Sequence, residues 1–268
     1  MPDRSNHPLS SRVALITGAS AGIGQAAARE LAMLGASIAV NARREDRLVA
    51  LIQELADRGD QGPHDDRAIA VVGDASDESV IHAMLDEPHQ RFGSPVDLVV
   101  INAGRGLAGS IMTSDPEQWD EMIRINYLGA AKLLREAGRR LTELQEHRQW
   151  PNHAADIVIL GSTVGRHISP FSSMYGSTKF AIGSLAEAAR RELGPKGVRV
   201  SLIEPGIVES EFQGVAGYDP ESFGAMMDKF APVLTPEDIA RLIGFIVKQP
   251  AGVHLSGTVV RPTKQDYP

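Results

Sequence analysis

The stretch from Arg12 to Ala42 places the strongest constraint on the fold. Arg12-Val-Ala-Leu-Ile-Thr17 is a short apolar run ending in glycine, the pattern of a strand buried on both faces. Gly22 to Leu34 follows, with Ala26, Ala27, Leu31 and Leu34 at helical spacing and Gly35 as a C-terminal stop. A second apolar run, Ser37 to Ala42, comes at once. Strand, tight glycine turn, helix and strand in so short a span make one βαβ unit, and its two strands must lie parallel in one sheet.

The alternation continues along the chain. Glu45 to Arg58 is amphipathic, Arg67 to Val72 strand-like and Glu78 to Phe92 helical, and Val96 to Ile101 is the strongest strand signal. One long helix is expected from Pro116, a good first-turn residue, to about Gln149. Asp156 to Leu160 reads as a strand, Met174 to Leu193 as a helix, and Val198 to Ile203 as a strand ended by Pro205-Gly206. Residues 207–232 show no clean period; Pro236 to Val247 is a last helix and His254 to Val260 a last strand. The polar stretch 142–155 is expected to be a solvated helix end and loop. Seven strands alternating with helices, without a break in composition, predict an α/β fold: a single-domain, doubly wound parallel seven-stranded sheet with helices on both faces. That domain is expected over residues 12–268, behind a flexible N-terminal tail, 1–11.

Composition excludes several function classes. There is no cysteine, so no disulfide, thiolate nucleophile or zinc–cysteine site can form, and no metal is expected. A net charge of −7 leaves no basic footprint for nucleic acid. Residues 1–11 lack the apolar core of a secretory signal, and Val13 to Val40, the longest apolar stretch, is broken by glycines, Arg29 and Glu30. A cytoplasmic protein with no membrane partner is expected.

In a doubly wound sheet, ligands bind beyond the carboxyl ends of the strands. Thr17-Gly-Ala-Ser-Ala-Gly-Ile-Gly24 lies there. Gly18 would allow the tight turn, Gly22 the approach of a pyrophosphate and Gly24 close packing of helix on strand, while the helix N-terminus offers free N–H groups. Tyr175 and Lys179 are four residues apart, so one helix face projects both into the same space, with Ser162 at the end of the preceding strand. A phenol, a hydroxyl and an ammonium are what carbonyl reduction requires: a proton donor and stabilisation of the developing charge. The ammonium, together with the positive ring of an oxidised nicotinamide, is expected to lower the phenol pKa.

The glycine pattern T-G-x-x-x-G-x-G resembles that of the short-chain dehydrogenase/reductase family. Asp74, Asn102-Ala103-Gly104, Asn126, Ser162, Tyr175, Lys179 and Pro205-Gly206 agree in order and near-family spacing over about residues 12–262. The resemblance implies a Rossmann fold whose turn residues Gly18, Ser20, Gly22, Ile23 and Gly24 contact a nicotinamide cofactor. It further implies that Asp74, with Ala75, holds the adenine edge and that Asn102, Ala103 and Gly104 line the adenosine ribose. Lys179 would reach the nicotinamide ribose, and Pro205, Gly206 and the Val208 backbone would meet the carboxamide. Ser210 supplies a hydroxyl where relatives carry a threonine, and Asn126 would anchor a water that relays protons to Lys179. Ser162, Tyr175, Lys179 and Asn126 form the expected catalytic set. A homo-oligomer, tetramer or dimer, is also implied, paired through helices 116–149 and 174–193.

Charge argues for NADP(H). The second strand ends Val40-Asn-Ala-Arg-Arg44, so Ala42 stands where an acid would accept from the ribose of NAD, and Arg43, assisted by Arg44 and Ser20, suits a 2′-phosphate. The alternative leaves both arginines as a solvated helix start paired with Glu45 or Asp46. For the substrate, three segments should wall the pocket: Arg105 to Met112, Val164 to Ser173 and Ile207 to Phe230. Leu107, Ile111, Ile168, Phe171, Phe212, Met226 and Met227 are their apolar members, and Arg105, Arg166 or His167 is a possible anion clamp. Short C-terminal runs, Leu234 to Arg241 and Val259 to Gln265, are similar to an NADP-dependent subgroup of 3-hydroxy acid and serine dehydrogenases, clavulanate-type aldehyde reductases and sulfoacetaldehyde reductases. The expected function is therefore an NADP(H)-dependent oxidoreductase acting on a small polar alcohol or carbonyl substrate. An NAD-preferring dehydrogenase, a non-catalytic NADP-sensing regulator and a lyase or epimerase on the same scaffold stay open.

Overall fold

A computed structural model of the chain describes residues 7–57, 67–148 and 150–267. Seven strands form one parallel sheet in the order β3-β2-β1-β4-β5-β6-β7. They are β1 (Val13–Thr17), β2 (Ser37–Ala42), β3 (Ala68–Val72), β4 (Leu98–Ile101), β5 (Ala155–Leu160), β6 (Val198–Pro205) and β7 (Gly257–Val260). Both faces of the central strands are buried. In β1, Ala14 and Ile16 join one core while Val13 and Leu15 join the other, as the two-residue period of a strand dictates. β4 and β5 divide in the same way, with Val100 and Val158 on the first face and Val99 and Ile157 on the second.

Helices cover each face with apolar stripes. α1 (Gly22–Met33), α2 (Glu45–Asp57) and α9 (Pro236–Val247) place Ala28, Leu31, Leu48, Leu51 and Ile243 against the first core. α3 (Glu78–Phe92), α5 (Ala130–Glu146) and α6 (Ser173–Leu193) place Met84, Leu133, Leu141, Ile182 and Ala186 against the second. The doubly wound sheet is thus as expected. The winding reverses between β1 and β4, which leaves a crevice beyond their carboxyl ends.

At the opposite, amino-terminal edge of the sheet lies a buried ion cluster. Arg12 meets Asp97 and Asp156 at 2.8 Å each, and Arg199 meets Asp156 at 2.8 Å and Arg148 meets Asp97 at 3.0 Å. Asp97 also accepts from the Val13 N–H at 3.1 Å, so the cluster ties the starts of β1, β4, β5 and β6 together.

Two expectations need correction, and one stretch without a sequence period acquires structure. Residues 1–6 lie outside the described residues, but the tail expected through residue 11 is docked from His7 onward: Leu9 is buried and its N–H donates to the Leu34 carbonyl at 2.9 Å. The long helix expected over 116–149 is broken into a 3-10 turn (Pro116–Gln118), a short α4 (Trp119–Ile123), a π segment (Arg124–Gly129) and α5, which ends at Glu146. Asp115 caps its start, accepting from the Glu117 N–H at 3.0 Å. The aperiodic stretch 207–232 holds two helices, α7 (Phe212–Ala216) and α8 (Pro220–Phe230). Both are nearly bare of buried residues, which erases the periodic signal. The Asp219 cap, accepting from Ser222 N–H at 2.9 Å, with Pro220 in the first turn, is the local sign of α8 that periodicity does not see.

Replacing Asp156 by Asn should destabilise the fold by about 3 kcal/mol, because two guanidiniums lose their shared carboxylate inside the protein. Urea unfolding would show a lower midpoint at unchanged slope, and an unaltered midpoint would show that the cluster contributes nothing to stability.

Candidate active site

A cleft of ≈ 640 Å³ opens beyond the carboxyl ends of β1 to β6. It gathers Gly18, Ser20, Gly22, Ile23, Arg43, Arg44, Asp74, Ala75, Asn102, Ala103, Gly104, Ser162, Tyr175, Lys179, Pro205, Gly206, Val208 and Ser210. Gly24 stands behind the turn, where a Cβ would lie 2.4 Å from the Gly18 carbonyl oxygen. Asn126 does not line the cleft.

The turn after β1 is held from below. Thr17 Oγ1 accepts from the N–H groups of Asn102 (3.1 Å) and Ala103 (3.0 Å), and Asn102 Nδ2 donates to the Thr17 carbonyl at 2.9 Å. Gly18 has φ +67°, which disfavours any side chain, and a Cβ at Gly22 would point across the cleft to within 3.5 Å of Ser210. These glycines leave a backbone-lined cradle at the N-terminus of α1, a shape and polarity that fit the pyrophosphate of a dinucleotide.

The two arginines at the end of β2 differ. Arg44 donates to Ser20 Oγ through Nε and Nη2 (3.2 and 3.1 Å) and to Glu211 at 3.0 Å. Arg43 pairs with Glu121 at 3.2 Å and is the more exposed. The guanidinium that joins Ser20 is therefore that of Arg44, whereas the sequence pointed first to Arg43. The Asp74 carboxylate is already engaged: Oδ1 accepts from the Ser76 N–H (2.9 Å) and hydroxyl (2.7 Å), and Oδ2 pairs with Arg124 at 2.9 Å.

At the other end of the cleft, Ser162 follows β5, and Tyr175 and Lys179 project from the first turns of α6. Tyr175 and Lys179 are each about 8% exposed. Lys179 Nζ donates to the Leu160 carbonyl at 2.8 Å and lies 5.8 Å from the centre of the Tyr175 ring. Burial pushes the Lys179 ammonium down to about 8. Burial also pushes the Tyr175 phenol up, aided by the Tyr218 phenol and opposed by hydrogen bonding to Ser162. Among the protein's own groups burial sets the direction for the phenol, while the Lys179 ammonium faces the Leu160 carbonyl.

Asn126 belongs to the π segment and is buried. Its Oδ1 accepts from the Arg105 N–H at 2.8 Å, and its Nδ2 donates to the Arg105 carbonyl at 2.8 Å and to Thr178 Oγ1 at 3.1 Å. With oxygen and nitrogen both committed, the side chain fastens the loop after β4 to α6, beside Lys179.

Of the expected substrate walls, Phe171, Phe212, Met226 and Arg105 line the cleft. Leu107 is buried instead in a small core with Met122 and Tyr175, and Ile111 and Ile168 face outward. Met227, Arg166 and His167 do not line it either; Arg166 pairs with Glu204, and Arg105 is held by Glu121 and Gln118. Tyr218 and Phe223, within the expected wall segment Ile207 to Phe230, line the cleft as well, and sequence reasoning missed Gln265 and Tyr267. The last two lie beyond the final strand: Gln265 Oε1 accepts from the Ile207 N–H at 3.0 Å, Asp266 pairs with Lys229 at 3.0 Å, and the Tyr267 hydroxyl donates to the Ile168 carbonyl. The C-terminal segment thereby braces α8 and the loop before α6.

Lys179 yields a test through stability. Between about pH 8 and its ordinary value of 10.5, the native lysine binds fewer protons than the unfolded one, so this group makes stability rise with pH. The raised phenol opposes it only above pH 10, so urea unfolding of wild type and Lys179→Met should be compared at pH 8 and 10. Wild type should gain about 2 kcal/mol relative to the variant between them. Parallel pH dependences would mean that the lysine is not desolvated.

Among the described residues, no helix is long and apolar enough to cross a membrane, and no group of three or more acidic or histidine side chains could hold a metal ion. Residues 12–219 match the family model for short chain dehydrogenase. Sulfoacetaldehyde reductase 2 of Chromohalobacter salexigens is 34% identical, covering 96% of this chain and 96% of its own. The closed form of serine dehydrogenase complexed with NADP+ has a TM-score of 0.80 at 28% identity, over 95% of this chain and 96% of its own. The 3-ketoacyl-(acyl-carrier-protein) reductase from Brucella melitensis, complexed with NADH, has a TM-score of 0.81 at 25% identity, over 95% and 98%. With the glycine cradle, the Ser162–Tyr175–Lys179 cluster and these matches in agreement, the chain belongs to the short-chain dehydrogenase family.

Proposed function

We propose that the chain is an NADP(H)-dependent oxidoreductase that interconverts a small alcohol and its aldehyde or ketone. The observation that carries this reading is the joining of the glycine cradle and the Ser162, Tyr175 and Lys179 side chains in one continuous cleft. A bound reduced nicotinamide would supply the hydride. The Gly18–Gly24 turn and the N-terminus of α1 would hold its pyrophosphate, Arg44 and Ser20, with Arg43, the 2′-phosphate, and Asp74 to Ala75 and Asn102 to Gly104 the adenosine. Pro205, Gly206, Val208 and Ser210 would flank the nicotinamide end.

The protein's own groups divide the remaining work. Ser162 hydrogen-bonds the substrate oxygen and orients it, and Tyr175 donates its phenolic proton to that oxygen as negative charge develops there. A phenol kept protonated by burial suits the reducing direction. For oxidation the substrate's hydroxyl proton would pass to a tyrosinate, favoured by the Lys179 ammonium together with the positive ring of a bound oxidised nicotinamide. Asn126, through Arg105 and Thr178, keeps α6 and the β4 loop in register.

The substrate's polar end would rest on Ser162 and Tyr175. The remaining wall is mostly aromatic or apolar (Val164, Phe171, Phe212, Tyr218, Phe223, Met226), with Arg105 the one of the three expected clamps that reaches it. A small carbonyl compound, with at most one anionic group directed to Arg105, fits this lining. A second reading, NAD(H) as cofactor, is favoured by one observation: both arginines that follow β2 already carry a carboxylate partner, Glu121 or Glu211. The outer faces of the π segment and α6, where Leu128 and Phe180 are exposed, are the surface this reading assigns to pairing with a second copy.

Tyr175→Phe keeps the ring and its packing on Phe212 while removing the proton donor. NADPH oxidation against a panel of aldehydes, ketones and keto acids should fall at least ~10²-fold in kcat, with NADPH binding retained. A variant as fast as wild type would refute the assignment of the phenol.

A further inference from the structure

The carboxylate of Glu211 lies where a second anion is expected. Its two oxygens are shared by two guanidiniums: Oε2 with Arg44 at 3.0 Å and Oε1 with Arg47 at 3.3 Å. Arg47 is in the first turn of α2, on the same side as Arg44, and the latter's remaining nitrogens are on Ser20 of the glycine turn. Two guanidiniums converge on one carboxylate, and one of them also holds the Ser20 hydroxyl; this set matches a phosphate monoester at least as well, because a phosphate dianion carries more charge and a third acceptor oxygen.

Glu211 also has a place in the other half of the cleft. It directly precedes Phe212, whose ring is 5.5 Å from that of Tyr175. Its own segment is tightly folded: Gln213 donates to the Val208 carbonyl at 2.6 Å and accepts from the Ser210 N–H at 3.2 Å. The Glu211 carboxyl is held below the ordinary carboxylate range, chiefly by its hydrogen bond to Arg44, so it is charged at neutral pH. A phosphate seated on Arg44 and Ser20 would meet this like charge at close range.

We infer that Glu211 is an internal competitor for the 2′-phosphate site formed by Arg44, Arg47 and Ser20. It sets how strongly the chain discriminates NADP(H) from NAD(H), and its release links the adenosine end of the cleft to the segment that carries Phe212. This inference rests on the NADP(H) reading above and adds Arg47 and Glu211 to it. NADH, with only a hydroxyl at the 2′ position, has no need to displace the carboxylate, whereas NADPH must.

Glu211→Gln keeps the side-chain shape and removes the charge from a half-exposed position. Dissociation constants of wild type and variant would be measured by calorimetry for NADPH, NADH and 2′,5′-ADP, a probe with the 2′-phosphate and no nicotinamide. The variant should bind NADPH and 2′,5′-ADP ~3- to 10-fold more tightly, the size expected on losing two half-exposed carboxylate contacts, and NADH should change less than ~2-fold. Equal tightening of all three ligands, or weaker NADPH binding, would overturn the inference. A wild type that binds NADPH no better than NADH would refute the preceding reading instead. If Glu211→Gln then gained 2′,5′-ADP affinity, Glu211 would stand as the residue that excludes the phosphate.

Discussion

Burial of both faces of the central strands is the constraint on which the rest depends. A strand such as β1, with neighbouring residues sent alternately into two cores, must be covered by helices above and below. With parallel strands and right-handed crossovers, the chain reaches both faces only by winding outward from the middle in two directions. The reversal falls between β1 and β4, and there the loops part. The cleft, the glycine cradle and the start of α6 with Tyr175 and Lys179 all sit at that parting. The ion cluster at the opposite edge, centred on Arg12, Asp97 and Asp156, ties the strand starts together and stays clear of the chemistry.

Strong periods were legible in the sequence, and so were the residues that follow them. β2, α3 and α9 begin and end where the pattern places them, because each buries a regular apolar stripe or carries a sharp boundary residue such as Pro236 or Gly93. The clustering of Ser162, Tyr175 and Lys179 with a glycine turn some 140 residues upstream follows from the winding of the sheet. What stayed hidden lacks a local signal. α7 and α8 rest on the cleft rather than in the core, so their exposure blurs the helical period. The π segment around Asn126 depends on bonds to Arg105 and Thr178, which are distant in sequence. Adjacent arginines look alike in a sequence; only the course of α2 decides that Arg44 faces Ser20 while Arg43 turns to Glu121.

The electrostatics of the two ends of the cleft differ in kind. At the end holding Tyr175 and Lys179 desolvation dominates, lowering the lysine and raising the phenol, so each is brought towards its neutral form. At the end beside β2 the groups are half-exposed and stand in ion pairs: Arg43 with Glu121, Arg44 and Arg47 with Glu211. The first arrangement suits proton transfer in a dry pocket. The second suits exchange of one anion for another, since exposed pairs separate at small cost. The segment that begins at Pro205-Gly206 touches both ends, through Glu211 at one and Phe212 at the other.

In the proposed function, one dinucleotide site runs from the Gly18 turn to Tyr175, and amide hydrogen exchange followed with and without saturating NADPH is the measurement that maps it. Binding in the proposed cleft should slow exchange in residues 18–24 at the head of α1 and in 102–105 after β4, and leave the amino-terminal edge of the sheet unchanged. Saturation without protection of the glycine turn, or protection confined to another face, would contradict the account.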